Sequence, residues 1–210
     1  GDLGAALVQQ AFDGVVFTGS TEVAKLIEKR IAQADNDPVL IAETGGQNVL
    51  VSDSSALPEQ VVADVLSSAF DSAGQRCSAL RILLLQEDVA DHYYKLITEA
   101  INEFSLGDPR LLSTDIGPVI DQEAKQNLEN HKANMRKVAR AYVELEAPTN
   151  GHFVAPAVYL LDNLNQLQRE VFGPILHIVR YKKENLVNVV NEDNAKGYAL
   201  TGGCHSRIRK

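Results

Sequence analysis

The strongest constraint on the fold lies in the first 43 residues. "GVVFTGS" (14–20) is a short apolar run that ends in a turn. Val23, Leu26, Ile27 and Ile31 then recur at helical spacing, and "PVLIAE" (38–43) is a second apolar run broken by "TGGQ" (44–47). Short runs of this kind suit buried strands, and strand, helix, strand in succession is the signature of a βαβ unit in a parallel sheet. The spacing predicts an amphipathic helix over 21–34, preceded by a short helix over 2–12.

The alternation continues along the chain. Val61, Val62, Val65, Leu66 and Ala69 mark one face of a helix that starts near residue 58, and "ALRILLL" (79–85) reads as a buried strand. Val89, Tyr93, Leu96, Ile97, Ile101 and Phe104 mark a long amphipathic helix. A Gly-, Pro- and Asp-rich connection follows (104–121), then a polar, half-exposed helix over 121–141. "HFVAPAVYLL", "GPILHIVRYK" and "YALTGGCH" are three more strands, with a helix near 183–194. The fold class is α/β.

Composition excludes several classes of function. The formal net charge is −8 and the basic residues are scattered, whereas a nucleic-acid groove needs a basic footprint. The two cysteines, Cys77 and Cys204, have no CxxC or Cys/His spacing for a metal, and a reduced, cytoplasmic setting accounts for them economically. The longest apolar runs, such as "FVAPAVYLL" (153–161), are too short to span a bilayer.

Four places could carry chemistry. At "TGST" (18–21), a strand opens into a helix, which presents free N–H groups to an anion such as a phosphate; a plain helix cap by Ser20 or Thr21 is the simpler reading. Glu43 ends an apolar strand beside two glycines, where burial strengthens a carboxylate as a general base; a surface acid is the alternative. Cys77 lies in a glycine-containing loop beside Arg76, as a nucleophile or as a small buried hydrophobe. Glu170, in "REVFGP" (169–174), could accept ribose hydroxyls or be a solvated acid. Cys204 reads as structural, and the five histidines form no pair or dyad legible in the sequence.

Each signal is weak alone, but their order is specific. "FTGSTEVA", "ETGGQN", "GQRCSA", "LGDP", "DIGPVI", "REVFGP" and "GYALTGG" resemble the successive motifs of the aldehyde dehydrogenase superfamily, with Glu43 and Cys77 34 residues apart. "SAFDSAGQRCSALR" and the stretch 151–181 are most similar to the glutamate-semialdehyde (pyrroline-5-carboxylate) dehydrogenases, above all to the dehydrogenase module of bifunctional proline-utilisation proteins.

The resemblance implies an NAD-dependent enzyme of proline catabolism. In it Cys77 attacks the aldehyde, Glu43 activates water, and Ser78 helps to hold the substrate carboxylate. Gly19 and Ser20 contact the cofactor pyrophosphate, and Glu170 holds the nicotinamide-side ribose with Phe172 packed nearby. Residues 1–43 are implied to be the tail of a Rossmann-like cofactor domain and 44–210 an incomplete catalytic domain.

The family's first cofactor-domain strands, a ribose-contacting lysine and an oxyanion-hole asparagine have no counterpart here. Nor do a carboxylate-gripping loop and an oligomerisation strand. The 210 residues alone are therefore expected to be weak or inactive. The remaining expectations are a small aldehyde substrate, a homo-oligomeric full-length protein in a bacterial cytoplasm, and no metal. The alternatives are a non-catalytic or self-associating fragment, and an aldehyde dehydrogenase for another aldehyde. A cysteine hydrolase lacks an identifiable histidine partner.

Overall fold

The computed structural model describes residues 2–33, 36–197 and 199–207. The chain divides into two compact units, Gly1–Gly45 and Gly46–Lys210.

The first unit contains α1 (Asp2–Leu7), β1 (Gly14–Gly19), α2 (Thr21–Ile31) and β2 (Val39–Thr44). β1 and β2 are parallel, with Gly14 opposite Val39 and Gly19 opposite Thr44. The buried stripe of α2 is Ala24, Ile27 and Ile31. The predicted opening helix is shorter than expected, because Gln9 and Gln10 bond three residues back and tighten its end. The predicted end of the next helix at residue 34 lies outside the described residues.

The second unit is built from β3 (Val49–Ser52), α3 (Pro58–Phe70), β4 (Ile82–Gln86), α4 (Glu87–Ile101) and α5 (Gln122–Val138). It continues with β5 (Ala141–Glu144), β6 (Ala157–Leu161), β7 (Ile175–Tyr181), α6 (Leu186–Asn194) and β8 (Gly202–His205). These strands make one six-stranded sheet in the order β5-β6-β7-β4-β3-β8. All its pairs are parallel except β5 with β6.

β4 and β6 are buried along their whole length, which is why they read as unbroken apolar runs. α3 contributes Val61, Val65 and Ala69 to the core, and α4 contributes Tyr93, Ile97 and Ile101. The connection 104–121 is ordered by a bridge between Leu106 and Ile116 and by burial of Ile116 and Val119.

Two strands escape the sequence reading. β3 is only four residues long, too short for periodicity to show. β5 begins inside the stretch predicted as helix to residue 141, because the backbone turns extended at Ala139. No helix among the described residues is long and apolar enough to cross a membrane.

Candidate functional site

β3, β4, β7 and β8 are neighbours in parallel register, so the segments that enter them arrive side by side. Val49 lies opposite Ile82 and Gly202, and Ile82 lies opposite His177. "GQN" (46–48), "GQRCSA", "REVFGP" and "ALTGG" (199–203), far apart in sequence, therefore meet at the amino ends of four adjacent strands. Ligands of open α/β sheets usually bind at the carboxyl ends. The second unit presents its motifs at the opposite edge.

The Cys77 loop leaves α3 through a turn of unusual backbone. Ser72, Ala73 and Gly74 have φ of 56°, 54° and 64°, three left-handed residues in succession. A non-glycine residue there costs about 1–2 kcal/mol. Only glycine fits at 74, where a Cβ would overlap the carbonyl of Gly173.

Gln75 ties the loop to the 104–121 connection, accepting from the N–H of Ile120 (2.8 Å) and donating to the Pro118 carbonyl (3.3 Å). Arg76 turns away to donate to Ser72 Oγ (2.9 Å). Cys77 is exposed, so the buried-hydrophobe reading fails.

Two buried side chains fix the loop from either side. Asn48, 1% exposed, donates through Nδ2 to the carbonyls of Cys77 (2.8 Å) and Ala79 (2.9 Å). Its Oδ1 accepts from the N–H groups of Leu200 (3.0 Å) and Thr201 (2.9 Å), joining the loop to the entry of β8. Thr201 Oγ1 also donates to the Ser78 carbonyl (3.3 Å).

Arg81, also 1% exposed, donates to the carbonyls of Gly74 (2.7 Å), Arg76 (3.1 Å) and Gly173 (3.3 Å) and pairs with Glu170 Oε1 (3.2 Å). Phe172 covers the guanidinium at 5.1 Å. Burial lowers the Arg81 pKa from its ordinary value, opposed by the Glu170 carboxylate and then by the charge of Cys77.

Of the predicted residues, the second unit gathers Cys77, Ser78, Glu170 and Phe172 along this edge. Ser78 lines a cleft of about 320 Å³ together with Asn48, Leu80, Thr201 and Gly203. The first unit carries the other three. Gly19 and Glu43 sit at the carboxyl ends of β1 and β2, and Thr18 pairs with Glu43 in the ladder. Ser20 is the N-cap of α2, its Oγ accepting from the N–H of Val23 (3.2 Å). That cap leaves the hydroxyl proton able to donate outwards. Glu43 is exposed, so the burial expected to strengthen it as a base is not provided by the described residues.

Each unit by itself offers groups of a kind that nucleotide cofactors use. The strand–turn–helix at Ser20 suits a phosphate, and the Glu170 carboxylate, fixed beside the half-exposed Phe172, suits an acceptor of sugar hydroxyls. Among the described residues no three His, Cys, Asp or Glu side chains are grouped to hold a metal.

Sequence reasoning missed several polar residues. Asn48 and Arg81 each stand in or beside an apolar strand, and an arginine inside "ALRILLL" was the available signal. His131 and His177, read as scattered, meet at Nε2···Nε2 2.9 Å, and His177 Nδ1 lies 3.1 Å from the Arg81 carbonyl. Burial lowers the His177 pKa to about 3, aided by His131, and lowers that of His131 to about 4, aided by Arg169. A neutral pair results, in which His131 donates to His177. Cys204, read as structural, is exposed on edge strand β8. Partial desolvation, and then the Asp53 charge, push its thiol up.

Comparison with known proteins places this geometry. The bifunctional protein PutA of Escherichia coli (strain K12) is 52% identical over 207 residues, covering 93% of this chain and 16% of that protein. The crystal structure of a point mutant of Bradyrhizobium japonicum PutA superposes with a TM-score of 0.96 at 52% identity, over 99% of this chain and 22% of that one. A 1-pyrroline-5-carboxylate dehydrogenase from Thermus, solved with bound NAD, superposes with a TM-score of 0.89 at 27% identity, over 99% and 41%. The chain thus spans about a sixth of the length of the E. coli relative. Residues 1–210 match the aldehyde dehydrogenase family throughout, and the chain belongs to that family.

Proposed function

We propose that this chain carries the core of an NAD-dependent dehydrogenase that oxidises L-glutamate γ-semialdehyde to glutamate in proline catabolism. The observation that carries the reading is an exposed cysteine on a loop whose own backbone is held by two buried side chains, Asn48 and Arg81. A group meant only to fill space would be covered; a nucleophile must be reachable and fixed. The similarity to the PutA proteins and to a 1-pyrroline-5-carboxylate dehydrogenase supports the choice of substrate.

In this mechanism the Cys77 thiolate adds to the aldehyde carbon and forms a thiohemiacetal on Sγ. When bound, NAD supplies the acceptor for the hydride lost from that carbon, so that the adduct on Cys77 becomes a thioester. Glu43 takes a proton from water, the resulting hydroxide attacks the thioester carbon, and the Cys77 thiolate leaves as glutamate forms. Ser78 donates to the substrate carboxylate. Gly19 and Ser20 receive the cofactor pyrophosphate, Glu170 accepts from the ribose beside the nicotinamide, and Phe172 packs against it. Residues 1–43 act as part of the cofactor domain and 44–210 as catalytic domain, in a cytoplasmic homo-oligomer.

The test is NADH formation from glutamate semialdehyde by this chain beside a Cys77→Ala control, both first shown to be folded by circular dichroism. The 210 residues alone are expected to give a weak signal or none, and the same chain with its native flanking sequence a strong one that the substitution abolishes. Strong turnover of the 210 residues would show that flanking segments are dispensable. Equal signals from wild type and control would overturn the assignment of Cys77.

A further inference from the structure

We propose that Arg81 is a positioning residue that sets the Cys77 loop and the Glu170 carboxylate in a common register. Its side chain bridges both motifs. Through Nη1 it reaches Gly74 and Gly173, and through Nη2 it reaches Arg76 and Glu170. Three of these acceptors are backbone carbonyls on the two loops, so the guanidinium fixes main chain as well as one carboxylate.

The guanidinium suits this task because its donors form a planar, rigid fork. A lysine ammonium at the same depth is a point donor and cannot serve two loops in fixed directions. Arg81 is itself held from behind. Its carbonyl accepts from the N–H of His177 (3.0 Å) and faces His177 Nδ1, while its own N–H donates to the Asn48 carbonyl (3.1 Å). Arg81 is thereby anchored to both neighbouring strands, and its side chain projects from the start of β4 to the two loops.

Burying a guanidinium is costly unless it is well paired, and replacing a buried ion pair as a whole, here Arg81 with Glu170, by apolar residues is often neutral or stabilising in other folds. Stability alone therefore explains the residue poorly. Register between the nucleophile and the group proposed to hold the cofactor explains why the charge lies there, with Phe172 over its face.

Two arms test the proposal. The first is free of cofactor and independent of the dehydrogenase reading. Cys77 is alkylated with iodoacetamide at fixed pH and followed by peptide mass, with Cys204 as the internal control. Glu170→Gln should change the Cys77 rate by at least about three-fold while leaving the Cys204 rate unchanged. An unchanged Cys77 rate in the folded variant overturns the coupling.

The second arm rests on the proposed function and uses the full-length protein. Arg81→Lys should raise KM for NAD about ten-fold, with a smaller change in KM for the aldehyde. Combining it with Glu170→Gln should cost little more than either alone, since both break one link. Multiplying losses, or a KM for NAD within about two-fold of wild type, overturn the proposal. Wild type that forms no NADH from the semialdehyde defeats the dehydrogenase reading and leaves the first arm to decide on Arg81. If Arg81→Lys does not fold, Glu170→Gln in the first arm decides.

Discussion

The two units place their candidate residues at opposite ends of their strands and hold them by different means. In the first, Gly19 and Glu43 lie at the carboxyl ends of β1 and β2, and the start of α2 supplies the polar groups from its own backbone, capped by Ser20. In the second, Cys77 and Glu170 lie at the amino ends of β4 and β7, where no helix begins. Loops entering a strand have unpaired carbonyls and N–H groups that the ladder has not yet taken up. Asn48 and Arg81 satisfy them from within the core. One site is built from backbone and the other depends on buried side chains, so substitutions should damage them unequally.

The largest effect is expected at the nucleophile. Cys77→Ala in the full-length protein should lower kcat by about 10⁴-fold or more, whereas Cys204→Ala should leave it within about two-fold, both measured as NADH formation. Comparable losses at both cysteines would erase the distinction between the loop and the edge strand.

Next in size is Gly74→Ala, which combines a left-handed backbone with an overlap on the Gly173 carbonyl. It should destabilise the fold by about 3 kcal/mol in chemical denaturation. Asn48→Ala should cost about 2–3 kcal/mol, because it strands two carbonyls and two N–H groups near the core. Both variants should also alter the alkylation rate of Cys77.

The legibility of the two units follows the same division. The βαβ unit could be read because apolar runs, helical spacing and a capping serine are all local signals. Among the described residues, however, its strands are largely exposed rather than buried, and α2 buries Ala24 where the spacing predicts Val23 and Leu26. Cys77, Glu43 and Glu170 are singled out by the order of their motifs, a resemblance that no single stretch carries. The Asn48 clamp and the Arg81 contacts to Glu170 and Gly173 link residues about 30 to 150 positions apart, as in Asn48 with Thr201 and Arg81 with Glu170. Only the strand order β7-β4-β3-β8 makes them neighbours. The His131–His177 pair was illegible for the same reason, since β7 and α5 meet only in the folded chain. β3 was missed because four residues hold too little pattern.

That histidine pair, within the second unit, gives a smaller effect and adjoins the clamp through the Arg81 carbonyl. Both folded pKa values, about 4 and about 3, lie below the ordinary value of 6.5. The unfolded chain therefore binds protons first. The pair's contribution to stability is complete above pH 6.5 and is lost as pH falls through about 4 towards 3. Denaturation midpoints should show stability falling between pH 7 and pH 5, with a shallower slope in His131→Gln. The smallest change is expected in the first unit. Ser20→Ala should cost about 1 kcal/mol, the loss of an exposed cap, and leave Cys77 alkylation unchanged.

The most direct test of the account is a covalent one. Glu43→Gln in the full-length protein should still form the thioester but fail to hydrolyse it. After incubation with glutamate semialdehyde and NAD and an acid quench, peptide mass should show the acyl adduct on the Cys77 peptide and none on the Cys204 peptide. A variant that turns over at the wild-type rate, or one that carries its adduct on Cys204, would contradict the roles given to Glu43 and Cys77.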